Sequence, residues 1–139
     1  MRVLALDYGS ARCGCAVSDP TGVLATPVEP VARPRSRRGL RRLRGLAAQL
    51  EVERVVVGLP LSLSGRDSAQ TAETRDFAAL LAAQLAVPVD LYDERFTTRI
   101  AARHGGRGSE DSRAAAHLLE SWLAARGPLT DSLAEDLVD

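Results

Sequence analysis

The chain of 139 residues contains no lysine: all 18 of its basic residues are arginine, balanced by 18 acids. A net charge of zero gives bulk attraction no say in which partners the chain takes. Aromatics are scarce, at 4%, so the core must come from Leu, Val and Ala. Cysteine is limited to Cys13 and Cys15. Two apart on a strand, they share a face as neighbours, a poor geometry for a mutual bridge. They read as reduced, small core residues, with an intermolecular disulfide as the lesser alternative. Too few Cys and His surround them for a thiolate metal centre. No apolar run reaches membrane-spanning length and the N-terminus shows no signal pattern, so the expectation is a soluble, cytoplasmic protein with no membrane partner.

What is present fits one globular domain. Hydrophobic residues make up 45% of the chain, enough for a sizeable core. Residues 1–126 read as that domain and 127–139 as a loosely ordered acidic tail carrying Asp131, Glu135, Asp136 and Asp139. Charge is unevenly spread: seven Arg fall between Arg33 and Arg44 with no acid among them. Such a block either tracks phosphates or forms a solvated helix face.

Hydrophobic patterning predicts alternating elements. Residues 2–8 and 13–19 read as a hairpin, and 23–31 as a third strand that Pro27 and Pro30 assign to an edge. Helices are expected at 36–50, 67–86, 97–104 and 111–125, the last capped by Ser109 and stopped by Gly127-Pro128. Between them, Arg54-Val55-Val56-Val57-Gly58 reads as a buried central strand and 87–92 as another strand. The fold class is therefore α/β, a mixed sheet with three antiparallel strands followed by parallel ones. Ligand sites in such sheets gather at the carboxyl ends of parallel strands. Three of those ends carry signals: Asp7, Gly58-Leu59-Pro60, and Asp93-Glu94-Arg95.

Asp7 ends an apolar strand, where a carboxylate is costly to desolvate unless a cation meets it. Glu94 is expected on the same edge, and Asp111 opens the helix that packs beside it. Three converging carboxylates repel one another without a cation; with divalent ions they suit phosphodiester hydrolysis. Each has a plainer reading. Asp7 suits an Asx-turn, Glu94 an ion pair with Arg95 or Arg99, and Asp111 the favourable start of a helix dipole. Asp93 competes with Glu94, because adjacent strand residues face opposite ways. Arg12 either meets a phosphate or pairs with Asp19. Thr97 and Thr98 are caps or phosphate donors, and His117 is a packing or surface residue.

Taken in order, these segments resemble the YqgF family of Holliday junction resolvase-like proteins, in the ribonuclease H-like superfamily. The matching residues are Leu4-Ala5-Leu6-Asp7-Tyr8-Gly9 with Arg12 and Ala16-Val17-Ser18-Asp19. They continue through Val56-Val57-Gly58-Leu59-Pro60-Leu61, Ala72-Glu73, Phe77-Ala78 and Asp93-Glu94-Arg95-Phe96-Thr97-Thr98. Asp111, Ala114-Ala115, Leu118-Leu119 and Trp122-Leu123 complete the match, which spans about residues 2–125. The resemblance implies a ribonuclease H-like five-stranded sheet and a nuclease using two Mg²⁺ or Mn²⁺ ions. Its catalytic and metal-binding carboxylates would be Asp7, Glu94 and Asp111, with Asp93 or Glu110 as substitutes. Nucleic acid would meet Gly9, Arg12, Gly58, Pro60, Arg95, Thr97 and Thr98; apart from the resemblance, the charge of the Arg33–Arg44 block adds Arg37, Arg38, Arg41 and Arg42 as candidate contacts. The implied substrates are precursor small-subunit ribosomal RNA, trimmed at its 5′ end, and branched or single-stranded DNA. The ribosome is a further candidate partner, and the chain would act as a monomer or homodimer. The competing readings are a non-catalytic RNA- or ribosome-binding protein on a nuclease fold, and a nucleotide-binding module of the actin and sugar-kinase type.

Overall fold

Alternation along the first strand sets the two faces of the sheet. In β1 (Val3–Asp7), Leu4 and Leu6 point to one side and Val3 and Ala5 to the other, all buried. The computed structural model describes residues 1–62, 64–96 and 110–126. β1 pairs antiparallel with β2 (Arg12–Ser18), and β2 with β3 (Ala25–Ala32). On its other flank β1 pairs parallel with β4 (Arg54–Leu59), and β4 with β5 (Val89–Asp93). The sheet order is β3-β2-β1-β4-β5, the mixed arrangement expected from the sequence. β3 is an edge strand, where its prolines leave no ladder bond unmade in the sheet interior. Pro30 falls in an irregularity in which Cys13 pairs with Val31 but Cys15 with Val28.

Three α-helices among the described residues cover the sheet. α1 (Arg37–Gln49) and α2 (Ala69–Ala82) lie on the face of Leu4, Leu6, Val55 and Val57, contributing Leu40, Leu43, Phe77 and Leu81. α3 (Glu110–Arg126) covers the opposite face, packing Ala115, Ala116, Leu119 and Trp122 on Val3, Ala5, Ala16 and Val56. α1 starts where expected, because the Ser36 hydroxyl accepts the Gly39 N–H at 2.9 Å and so supplies the N-cap. α2 is shorter at both ends than the predicted 67–86. Ser68 and Thr71 form a reciprocal capping box, and Asp67 stays outside the helix, held by Arg75 Nε at 2.8 Å. The predicted helix at 97–104, the Ser109 cap and the acidic tail lie outside the described residues.

The connections bring the carboxyl ends of the parallel strands to one edge. β1, β4 and β5 run parallel, so their carboxyl ends coincide, while α1, α2 and α3 each begin there. The two cysteines are buried and unbridged, as small core residues should be. No described helix is long and apolar enough to cross a membrane.

Candidate active site

Asp7 continues the Val3–Ala5 alternation, so its side chain belongs to the α3 face of the sheet, at the carboxyl end of β1. Register places β4 beside it: Leu6 pairs with Val57, which leaves Gly58 level with Asp7, about 4.8 Å away across the strands. Gly58 in turn pairs with Tyr92 of β5. After Asp93 the chain makes a single 3₁₀ turn, Glu94–Phe96. That turn folds Glu94 back over Gly58. A Cβ on Gly58 would stand 2.6 Å from Glu94 Oε2 and 3.0 Å from Glu94 Cγ. The missing side chain is therefore what lets the carboxylate lie against the sheet beside Asp7.

The first turn of α3 is fixed above the same spot. The buried Ser112 hydroxyl accepts the Cys15 N–H at 3.3 Å and donates to the Val28 carbonyl at 2.6 Å. Cys15 follows Gly14, the antiparallel partner of Asp7. The backbone of Asp111, one residue before Ser112, is thus held at the Asp7 end of the sheet. The side chains of Glu110 and Asp111 lie outside the described residues. Among the described residues no group of three or more His, Cys, Asp and Glu gathers in one place. Asp7 and Glu94 nevertheless supply hard oxygen donors side by side at a strand terminus, the donor type that Mg²⁺ and Mn²⁺ prefer.

The other expected residues divide. Asp93 points away from Glu94 and is engaged by Arg95, which donates from Nη2 at 2.7 Å, from Nε at 3.0 Å and from its backbone N–H at 3.0 Å. These bonds hold the Asp93 carboxyl below its ordinary range. The Arg95 guanidinium rests against Gly65, at 3.6 Å from the position of a Cβ there. Gly65 has φ +83, a value few other residues adopt comfortably. Pro60 accepts the Thr71 hydroxyl at 2.6 Å on its carbonyl, which ties the β4 terminus to α2. Gly9 is demanded by the turn itself, since a Cβ would meet the Arg12 carbonyl oxygen at 2.8 Å. Arg12 is exposed at the start of β2. Asp19 is occupied by its own turn, accepting from Thr21 and from the Leu24 and Val23 N–H groups at 2.7 and 2.8 Å; these bonds depress its carboxyl well below the ordinary range. Arg37, Arg38, Arg41 and Arg42 are all exposed on α1. Thr97 and Thr98 lie outside the described residues.

Sequence reasoning missed two supports of the site. One is Ser112, whose only sequence signal is a hydroxyl directly after the carboxylate that opens the helix. The other is Tyr8, which stacks on Phe77 at 4.7 Å and donates to Glu73 Oε2 at 2.5 Å. Burial and the Glu73 bond push the Tyr8 phenol up to about 12, against the pull of the nearby Arg35 guanidinium. Tyr8 anchors the chain immediately after Asp7 to the α2 side.

With this geometry in hand, comparison identifies the chain's relatives. The family model described as RuvX, Holliday junction resolvase, matches residues 1–125. The chain belongs to this family. It is 42% identical over 136 residues to a protein of Koribacter versatilis named "Putative pre-16S rRNA nuclease", with 91% of this chain and 88% of the relative covered. A Mycobacterium bovis protein of the same name is 46% identical over 135 residues, covering 90% of this chain and 79% of that one. Among solved structures, Thermus thermophilus RuvC in complex with a Holliday junction substrate superposes with a TM-score of 0.64 at 17% identity, covering 91% of this chain and 96% of RuvC. At that identity the likeness speaks for the fold: the mixed five-stranded sheet is of the RuvC, ribonuclease H-like kind.

Proposed function

We propose that the chain is a divalent-metal-dependent nuclease that hydrolyses phosphodiester bonds at the edge defined by Asp7. The observation that carries this reading is the Glu94 carboxylate lying over side-chain-free Gly58, level with Asp7 and on the face that α3 covers. Asp7, Glu94 and Asp111 would hold Mg²⁺ or Mn²⁺, with two ions suiting an in-line displacement. Such ions supply Lewis acidity and an activated water at neutral pH. The protein's share is placement. Gly58 makes room for Glu94, and Gly9 lets the turn after Asp7 close on the Arg12 carbonyl. Asp93 is bound by Arg95 and orients its guanidinium for a phosphate oxygen, while the place of Glu94 over Gly58 turns that carboxylate to the cation. Arg12 and Pro60 border the same edge, and Thr97 and Thr98 would serve as phosphate donors.

The names of the relatives point to precursor 16S rRNA as substrate, and the family description to four-way DNA junctions. The shared chemistry is the phosphodiester backbone. In this reading the partner is nucleic acid, pre-rRNA within the assembling ribosome or branched or single-stranded DNA. Work on a symmetric junction calls for a homodimer, since two strands must be cut, whereas trimming an RNA end needs only a monomer.

The test is one cleavage assay with Mn²⁺ on a precursor 16S rRNA fragment, a four-way junction and single-stranded DNA, with Asp7→Asn as control. Cleavage of at least one substrate that disappears in Asp7→Asn is the expected result. Tight binding without cleavage under all metals would instead favour an RNA- or ribosome-binding protein.

A further inference from the structure

Beside the carboxylate edge lies a cleft of about 480 Å³, lined by Ala32, Arg33, Ser36, Arg38, Gly39 and Arg42. It opens where β3 ends and α1 begins. Ala32 pairs with Arg12, and the Arg33 N–H bonds the Ala11 carbonyl at 2.9 Å. The cleft is thus joined through the turn that follows Asp7 to the proposed active edge. Arg33, Arg38 and Arg42 are exposed, and no ion pair among the described residues engages any of them. Arg38 and Arg42 stand one turn apart on α1, whereas Arg37, Arg41 and Arg44 fall on a separate stripe outside the cleft.

Two backbone features show that the cleft is built. A Cβ on Gly39 would meet the Arg33 carbonyl oxygen at 2.1 Å, so only glycine lets the strand-to-helix turn close down on the helix. Gly39 sits in the first turn of α1, where glycine is a poor helix former. Arg33 has φ +42, in the left-handed region that favours glycine. Backbone conformation alone would prefer glycine at position 33, and helix propensity alone a better helix former at 39, where the close turn admits only glycine. Both choices run against local preference, and both bring Arg33 beside Arg38 and Arg42.

We infer that this arginine cleft binds backbone phosphates of the nucleic-acid substrate, away from the scissile bond, and feeds the strand past Arg12 to Asp7. The inference rests on the nuclease reading above. Three guanidiniums with no carboxylate between them suit the phosphodiester backbone rather than base edges, so the contact is independent of sequence.

The experiment measures binding of a labelled oligouridylate and a labelled four-way junction by anisotropy across a salt series, in EDTA and in the Asp7→Asn background. The cleft variant carries Arg33→Gly, Arg38→Ala and Arg42→Ala; the control carries Arg37→Ala, Arg41→Ala and Arg44→Ala. Removing three phosphate contacts should lower the slope of log K against log salt by about 2 for the single strand, with the control losing less. Arg33→Gly alone should keep or raise Tm while weakening binding, which separates ligand contact from folding. An unchanged slope in the cleft variant overturns the inference, as does an equal loss in the control. If the Asp7→Asn parent itself binds neither probe, the nuclease reading fails with it; if the parent binds and the cleft variant binds equally, only the cleft fails.

Discussion

The two faces of the sheet bury different things. The α1–α2 face is filled by large side chains, Leu4, Leu6, Leu43, Phe77 and Leu81, all nearly inaccessible. The α3 face sets four small ones, Ala5, Ala16, Ala115 and Ala116, among Val3, Val56, Leu118, Leu119 and Trp122. Large residues fill volume and supply stability; small ones let a helix axis approach the strands. That close approach allows Ser112 to reach the β2 backbone and brings the opening of α3 to Asp7. One face holds the fold together and the other holds the site in register.

The contrast can be broken by substitution. The largest effect on stability is expected for Leu43→Ala, which empties a buried site on the α1–α2 face and should cost about 2–5 kcal/mol. Chemical denaturation measures it, while activity of the remaining folded protein in the cold should stay near normal. Asp7→Asn should do the reverse, cutting metal-dependent cleavage at least about 100-fold, since even outer partners of metal ligands cost about 10–100-fold, with Tm little changed. Ser112→Ala crosses the divide. It removes the acceptor of the Cys15 N–H, so it should destabilise by about 1–3 kcal/mol and also lower cleavage by loosening the first turn of α3.

The smallest effect concerns Tyr8, on the α1–α2 side. Its phenol rises from 10.0 to about 12 on folding, so the folded state favours the protonated form. That contribution is fully present below about pH 10 and is lost as pH climbs towards 12. Tyr8→Phe should cost about 1 kcal/mol at neutral pH and flatten the alkaline part of the stability profile, followed by urea melts across that range.

Much of this was legible in the sequence, for physical reasons. The order of strands and helices gave the mixed sheet, and Asp7, Gly58-Leu59-Pro60 and Asp93-Glu94-Arg95 marked the working edge. Ser36 and the leucine spacing located α1. The start of α2 was read two residues early, because Asp67 also resembles a cap; its ion pair with Arg75 is a tertiary fact. Sequence could not show that Gly58 exists for Glu94, that Gly9 clears the Arg12 carbonyl, or that Gly39 admits the turn at Arg33. A glycine's reason is usually the neighbour that approaches it, and that neighbour is known only once the chain is folded. The same holds for Asp93 and Glu94: parity separates them, but only the folded chain shows Asp93 bound by Arg95 and Glu94 lying over Gly58.

The central claim, that the α3 face at the Asp7 edge is a site and not merely a packed terminus, is tested most directly by Gly58→Ala. The added methyl would lie 2.6 Å from Glu94 Oε2, so the flexible carboxylate must swing away while the strand keeps its place. Melting and Mn²⁺-dependent cleavage are measured on the same preparation. The expected result is a Tm within about 2 °C of the parent together with a severe loss of cleavage. Full cleavage at unchanged Tm would contradict it.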